Sequence, residues 1–398
     1  MRTKGILAIV TILLVCPLLG RAQSGFSGAY IGQVTTWERP VDQLTKEQNV
    51  RWYNRLILRY EPSKQFAVRT ALRRADYFQE ETNSTDIYYG YIDWQPTDNL
   101  GFMVGRQYPF NKMIRRAIDG ASGEWTFYNH WTLSGLIGAF APTDRAGFID
   151  DPGDNMGSYA ALGYRGANHA RAQASFYSQI SKGRVMNFLG LDAKYPKFFD
   201  SNIYLFFKYN LTQNFVQEAQ GQIRRQFGDK FAATVAYKYR DPNYDLPEWY
   251  WQFAIDPYST LRLGFDYYMT NTGSLTFEYF SRYLSDQSIE RYKFGWLASN
   301  WTAGVIFSTK GSQSSQEWRA YGSYQHHFGD KVLLGAGVNY FDYVFHEEYE
   351  EPLNAFGAQL FAKYRFLDNL TAGLRGYYLT NAEFSQDVRL IGELSYQF

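Results

Sequence analysis

The sequence predicts an all-β protein: an antiparallel, up-and-down β-barrel that crosses a membrane on an even number of strands, from 18 to 22. Three observations predict it. Apolar and polar residues alternate with a period of two through segment after segment, which gives each strand one greasy and one wet face. Aromatic residues make up 19% of the chain, and Tyr (34) outnumbers Phe (31). Rings that are apolar at one end and polar at the other suit the two interfaces of a bilayer. Hydrophobic residues reach 45%, yet mean hydropathy stays at -0.41. A helical membrane protein is greasier than that, whereas a barrel keeps half of each strand polar.

Residues 1–22 read as a secretory leader, to be set aside from the fold. Arg2 and Lys4 form its charged start, residues 5–19 its apolar run, and Gly20-Arg21-Ala22 its small-residue cleavage site. Cys16 is the chain's one cysteine and leaves with this leader. The mature domain, 23–398, then has neither disulfide nor thiol chemistry. Losing Arg2, Lys4 and Arg21 moves the net charge from +1 to −2, which argues neither for nor against a polyanionic partner.

Residues 25–37 form a first strand, and the polar stretch 38–49 is expected as a loop. In 50–60, Trp52, Leu56, Leu58 and Tyr60 oppose Arg51, Tyr53, Arg55 and Arg59. After a turn at Glu61-Pro62-Ser63 the chain returns with Phe66, Val68, Thr70 and Leu72 opposing Gln65, Arg69 and Arg73. Residues 79–86 are expected as a loop, and 87–94 with 100–105 as a hairpin. The period is lost over 106–123, and 124–140 divides into strands around His130. From 158 onward the alternation is almost unbroken, with segments at 158–166, 169–180, 184–195, 201–211, 214–227, 230–240, 248–255, 258–270 and so on to 386–398. Phe227-Gly228-Asp229-Lys230, Phe328-Gly329-Asp330-Lys331 and Phe366-Leu367-Asp368-Asn369 have the chemistry of tight hairpin turns, each entered through an interfacial ring. Counting every segment gives 22 or 23 strands. Turn assignments made from the two ends collide between 241 and 316, so one segment there is miscounted.

In the last eleven residues Val388, Leu390, Gly392, Leu394, Tyr396 and Phe398 share one parity, and Phe398 is the terminal residue. This closing strand resembles the carboxy-terminal signature of Gram-negative outer-membrane β-barrels, and the whole mature pattern is porin-like without indicating a subfamily. The resemblance implies that Tyr396 and Phe398 are read by the barrel-assembly machinery. It also implies a cell outer-membrane location among membrane lipids and lipopolysaccharide, and a monomer or homotrimer.

With apolar parity on lipid, the wet parity lines a lumen. That parity carries Arg51, Arg55, Arg59, Arg69 and Arg73, and further along Arg171, Lys208, Arg224, Lys230, Lys238, Arg240, Arg262, Arg282, Arg291, Lys293, Arg319, Lys363, Arg365, Arg375 and Arg389. Acids on it are fewer: Asp93, Glu218, Asp266, Glu278, Glu317 and Glu393. Other acids, Asp42, Glu47, Glu80, Glu81, Asp150, Asp154 and the glutamates after His346, fall in expected loops and give an acidic rim. A basic lumen lowers the barrier for anions. The arginine hairpin is therefore a candidate selectivity ladder, and the alternative is that its arginines pair with wall acids and fill space. The stretch 106–123, with Lys112, Arg115 and Arg116, is a candidate constriction loop, and the alternative is an ordinary outer loop.

Other functions lack their residues. Five histidines, His130, His169, His326, His327 and His346, lie near Ser134, Ser323, Asp330 or Glu347 without a catalytic or zinc-binding spacing. No phosphate loop, dinucleotide fingerprint or nucleic-acid-binding pattern is present, and no cofactor or metal is expected. The expected function is passive diffusion of small anionic or acidic solutes, not catalysis. The competing expectation is a barrel that sheathes a partner, such as a multihaem electron conduit or an exported polymer.

Overall fold

A computed structural model describes residues 25–398 apart from 41–45, 79–81, 110, 115, 142–154, 182, 243–255, 271–272, 286, 311–315, 344–352 and 382–385. The expected leader lies outside the described residues. The chain forms β1 (Phe26–Pro40), β2 (Lys46–Ser63), β3 (Phe66–Tyr77), β4 (Thr82–Thr97), β5 (Leu100–Gln107), β6 (Ile118–Phe127), β7 (Trp131–Phe140) and β8 (Asn155–Arg165). It continues through β9 (Arg171–Ser181), β10 (Arg184–Phe198), β11 (Ser201–Asn210), β12 (Phe215–Phe227), β13 (Phe231–Arg240), β14 (Tyr258–Thr270) and β15 (Gly273–Tyr283). The last strands are β16 (Ser288–Ala298), β17 (Trp301–Lys310), β18 (Gln316–Phe328), β19 (Val332–Tyr343), β20 (Leu353–Leu367), β21 (Leu370–Asn381) and β22 (Asp387–Gln397). Each strand pairs antiparallel with its sequence neighbours, and β22 pairs with β1, so the 22-stranded sheet closes on itself. Closure leaves no sheet edge for lipid to meet, which hydrocarbon requires because it cannot hydrogen-bond a free edge.

Several boundaries differ from expectation. β1 and β2 extend through most of the polar stretch 38–49 and leave only 41–45 between them. β4 starts at Thr82, so most of the loop expected at 79–86 is strand. The irregular stretch expected over 106–123 narrows to 108–117, because β5 runs to Gln107 and β6 starts at Ile118. Polar composition misled at all three places. Ladder hydrogen bonds extend strands past the hydrocarbon into water, where alternation with apolar residues is no longer needed. The segment expected at 248–255 lies outside the described residues. β13 pairs directly with β14, which gives the even count and removes the clash of turn assignments.

The outer surface follows the apolar parity. Leu360 (68% exposed), Leu374 (59%) and Phe294 (58%) project from it, and their chain neighbours Gln359, Arg375 and Lys293 face inward. Rings gather on this surface near the short turns. Trp94 stacks on Phe102 at 5.8 Å, Trp131 meets Tyr164 at 5.0 Å, and Trp301 meets Tyr324 at 4.4 Å. These form an interfacial girdle. β1 begins and β22 ends at this end, where every connection is five residues or fewer. Gly228, with φ +61°, supplies the left-handed residue of one such turn. The far end carries the longer connections, among them 108–117, 141–154 and 241–257.

Candidate functional site in the lumen

The arginine hairpin is the pairing of β2 with β3. Its register sets Arg55 directly opposite Arg73 and Arg59 opposite Arg69. Like charges face to face on one wall repel, so compensation is needed. Glu61 supplies it for the lower pair, accepting from Arg59 Nε at 2.5 Å and from Arg69 Nη2 at 3.1 Å. Asp93 on β4 stands 3.9 Å from Arg69. Asp86, also on β4, accepts from Arg73 Nε at 2.9 Å. A bulge in β4 turns Tyr88 inward as well, and its ring lies 5.5 Å from Arg55 and 5.1 Å from Arg73. Arg51 sits between the rings of Tyr53 (4.2 Å) and Tyr77 (4.0 Å). Ala71 and Ala75 are buried among these long side chains. Three of the five arginines thus hold wall acids, while Arg51 and Arg55 ion-pair with no described residue. The alternation does not mark Glu61 and Asp86 as lumen acids, because one falls in an expected turn and the other in an expected loop, whereas both lie on strands.

A second basic wall stands on β14–β18. In a ring of 22 strands β3 and β14 are eleven apart, so this wall faces the hairpin across the lumen. Arg262 donates through Nε to Glu278 at 2.7 Å, and Arg319 reaches Glu317 at 3.6 Å. Arg282 lies 4.9 Å from the ring of Tyr258, Arg291 5.8 Å from Phe280, and Lys293 6.0 Å from Tyr321. These last three ion-pair with no described residue. Elsewhere on the inner wall cations meet acids: Arg171 with Asp192, Arg224 with Asp266, Lys238 with Glu218 and Arg389 with Asp387.

Between the basic walls, β7–β11 turn apolar side chains inward. Leu136, Phe140, Tyr159, Tyr177, Met186, Phe188 and Phe206 are buried there, although water alone would leave them exposed. What covers them comes from the connection between β5 and β6. Met113 and Ile114 pack into this cluster and are themselves 4% and 2% exposed. Asn111 turns the backbone by accepting from the amides of Met113 (3.1 Å) and Ile114 (2.9 Å). Lys112 donates to Gln220 of β12 at 3.0 Å and lies 4.0 Å from the ring of Tyr204. At the base, Arg106 and Asp119 make two bonds of 2.7 Å between β5 and β6. Arg116 lies 5.9 Å from the Phe140 ring, and Arg115 lies outside the described residues. One sequence signal was available: the adjacent apolar pair Met113-Ile114 inside a polar stretch needs a surface to bury it.

At the seam the amide and carbonyl of Phe398 pair with those of Gly28 at 3.0 and 2.8 Å. The Phe398 ring stacks on Phe26 (5.8 Å) and Tyr396 (5.9 Å). Ser323 and His326 occupy opposite faces of β18, and His346 lies outside the described residues. Among the described residues no group of three His, Cys, Asp or Glu side chains converges.

No protein-family model matches the sequence, and no curated protein does. Solved structures similar in shape include Acinetobacter baumannii OccAB3 (11% identity, 94% of this chain and 99% of that one, TM-score 0.46). Pseudomonas aeruginosa OccK9 is similar too, at 11% identity, 94% and 98% coverage and a TM-score of 0.43. A BenF-like porin from Pseudomonas fluorescens Pf-5 matches at 11% identity, 94% and 98% coverage and a TM-score of 0.42. At that distance these likenesses add nothing to what the barrel itself shows. A closed antiparallel barrel with a greasy exterior, an aromatic girdle and a polar interior is the architecture of an outer-membrane β-barrel.

Proposed function

We propose that this barrel is a passive outer-membrane channel for small anionic or acidic solutes. One observation carries the reading: cations without a carboxylate partner among the described residues stand on two facing walls of the lumen. They are Arg51 and Arg55 on one side, and Arg282, Arg291 and Lys293 on the other. Cations inside a low-dielectric wall raise local anion concentration and lower the barrier to anion passage. The carboxylates paired with Arg59, Arg69 and Arg73 weaken the ladder on its own, so selectivity is shared between the walls. In this reading residues 111–114, between β5 and β6, narrow the bore from the β7–β12 side. They also count against a sleeve for a partner protein or polymer, since a sleeve needs that side clear. In this reading the short-turn end is periplasmic, lipid and lipopolysaccharide surround the barrel, and Tyr396 and Phe398 form the strand that the assembly machinery engages. A homotrimer is compatible with the greasy exterior, and conduction itself needs no catalytic residue.

The test is the reversal potential of purified protein in a planar bilayer across a KCl gradient. The wild type is expected to favour chloride. Arg55→Glu combined with Arg291→Glu removes one such cation from each wall and moves the potential toward cation preference. A double variant with the wild-type potential contradicts the proposal.

A further inference from the structure

We infer that the stretch 111–114 is a permanently seated lining of the lumen, not a moving gate, and that the ammonium of Lys208 is what fixes it. This rests on the channel reading above, for only in a channel does a lining have a bore to narrow.

Lys208 lies on the inward face of β11, where lysine normally reaches into water, yet it is 3% exposed. Its Nζ donates to the carbonyl of Met113 at 3.4 Å and lies 4.6 Å from the ring of Phe188. In register beside it is Glu218, 2% exposed, which also meets Lys238 at 3.2 Å. Burying an ammonium is costly unless oxygen atoms and counter-charge replace its water. Here a carboxylate of the wall supplies the charge and a carbonyl of the covering segment supplies an oxygen. Lifting the segment removes that oxygen and opens the apolar cluster beneath it, so the seated state is favoured twice. Lys112 makes the reverse connection, from segment to wall, through Gln220. The wall is also cut to fit: a Cβ at Gly190 of β10 would overlap the sulfur of Met113. A side chain at that position would have to push aside the Met113 thioether and the hydroxyl of Ser175.

Cysteine chemistry tests this on the whole protein, because residues 23–398 contain no cysteine. In folded barrels carrying Met113→Cys, a maleimide is expected to react slowly. Adding Lys208→Met keeps the bulk and removes the ammonium, and labelling is expected to rise about tenfold, the size of one charge-assisted hydrogen bond. Folding of each variant is checked by its heat-modifiable mobility on gels. If Lys208→Met does not fold, Lys208→Gln serves in its place. Fast labelling of Met113→Cys alone overturns the seated lining. Protection that survives in whichever Lys208 variant folds overturns the role of the ammonium. Neither readout needs ion flow, so the inference can fail while the channel reading stands. A disulfide between Met113→Cys and Gly190→Cys completes the test. Single-channel conductance is expected to be the same before and after reduction, and a conductance that changes on reduction identifies a gate.

Discussion

Which way a side chain faces decides what it does in this protein, and the alternation makes that legible residue by residue. Leu360 lies midway along β20 on the outer face and is the most exposed of the aliphatic side chains there. Leu360→Arg is expected to cost about 2–4 kcal/mol of barrel stability, the penalty for a cation near the bilayer midplane. Arg375→Leu, on the wet face of β21, should change stability far less. Urea titration of protein refolded into lipid vesicles checks both, and equal losses would contradict the assignment of faces. The basic residues of the lumen were legible for the same reason. Their partners were not. Pairing depends on cross-strand register, and a single bulge at Tyr88 decides which β4 side chains reach Arg55 and Arg73. Alternation alone does not locate such a bulge.

At the scale of an element, the hairpin β2–β3, the seam and the connection 108–117 show three grades of legibility. The hairpin was plain because its polar face is nearly all arginine. The seam was half plain: the terminal strand announced its greasy face, but its partner β1 gave a weak signal. Gly28 explains part of that weakness. A Cβ there would stand 2.6 Å from the Phe398 ring and 2.6 Å from the carbonyl oxygen of Ile57, so a small residue replaces the expected apolar one. Gly28→Val is therefore expected to loosen closure. The folded fraction reaching the membrane falls, and heat-modifiable mobility is lost at a lower temperature. A seam that tolerates Gly28→Val without either change would mean that the ring does not lie over this strand. The connection was legible only as a break in period. What seats it is tertiary, since Gly190, Phe188, Lys208 and Gln220 belong to strands four to six places further round the barrel.

For the whole molecule, strand type and closure followed from composition and period, since a sheet in lipid has no other stable form. The strand count was harder. Long connections at the far end contain alternating residues of their own, and only pairing separates these from the wall. The resulting barrel combines a greasy exterior, two basic walls facing each other and a seated lining on a third side. In the function proposed above, that arrangement makes a bore narrowed on one side and positively biased. Single-channel recording of the purified protein, alone in a planar bilayer, tests this most directly. The account predicts stable open steps whose reversal potential in a KCl gradient favours chloride. A bilayer that stays silent, or steps that favour potassium, would contradict it.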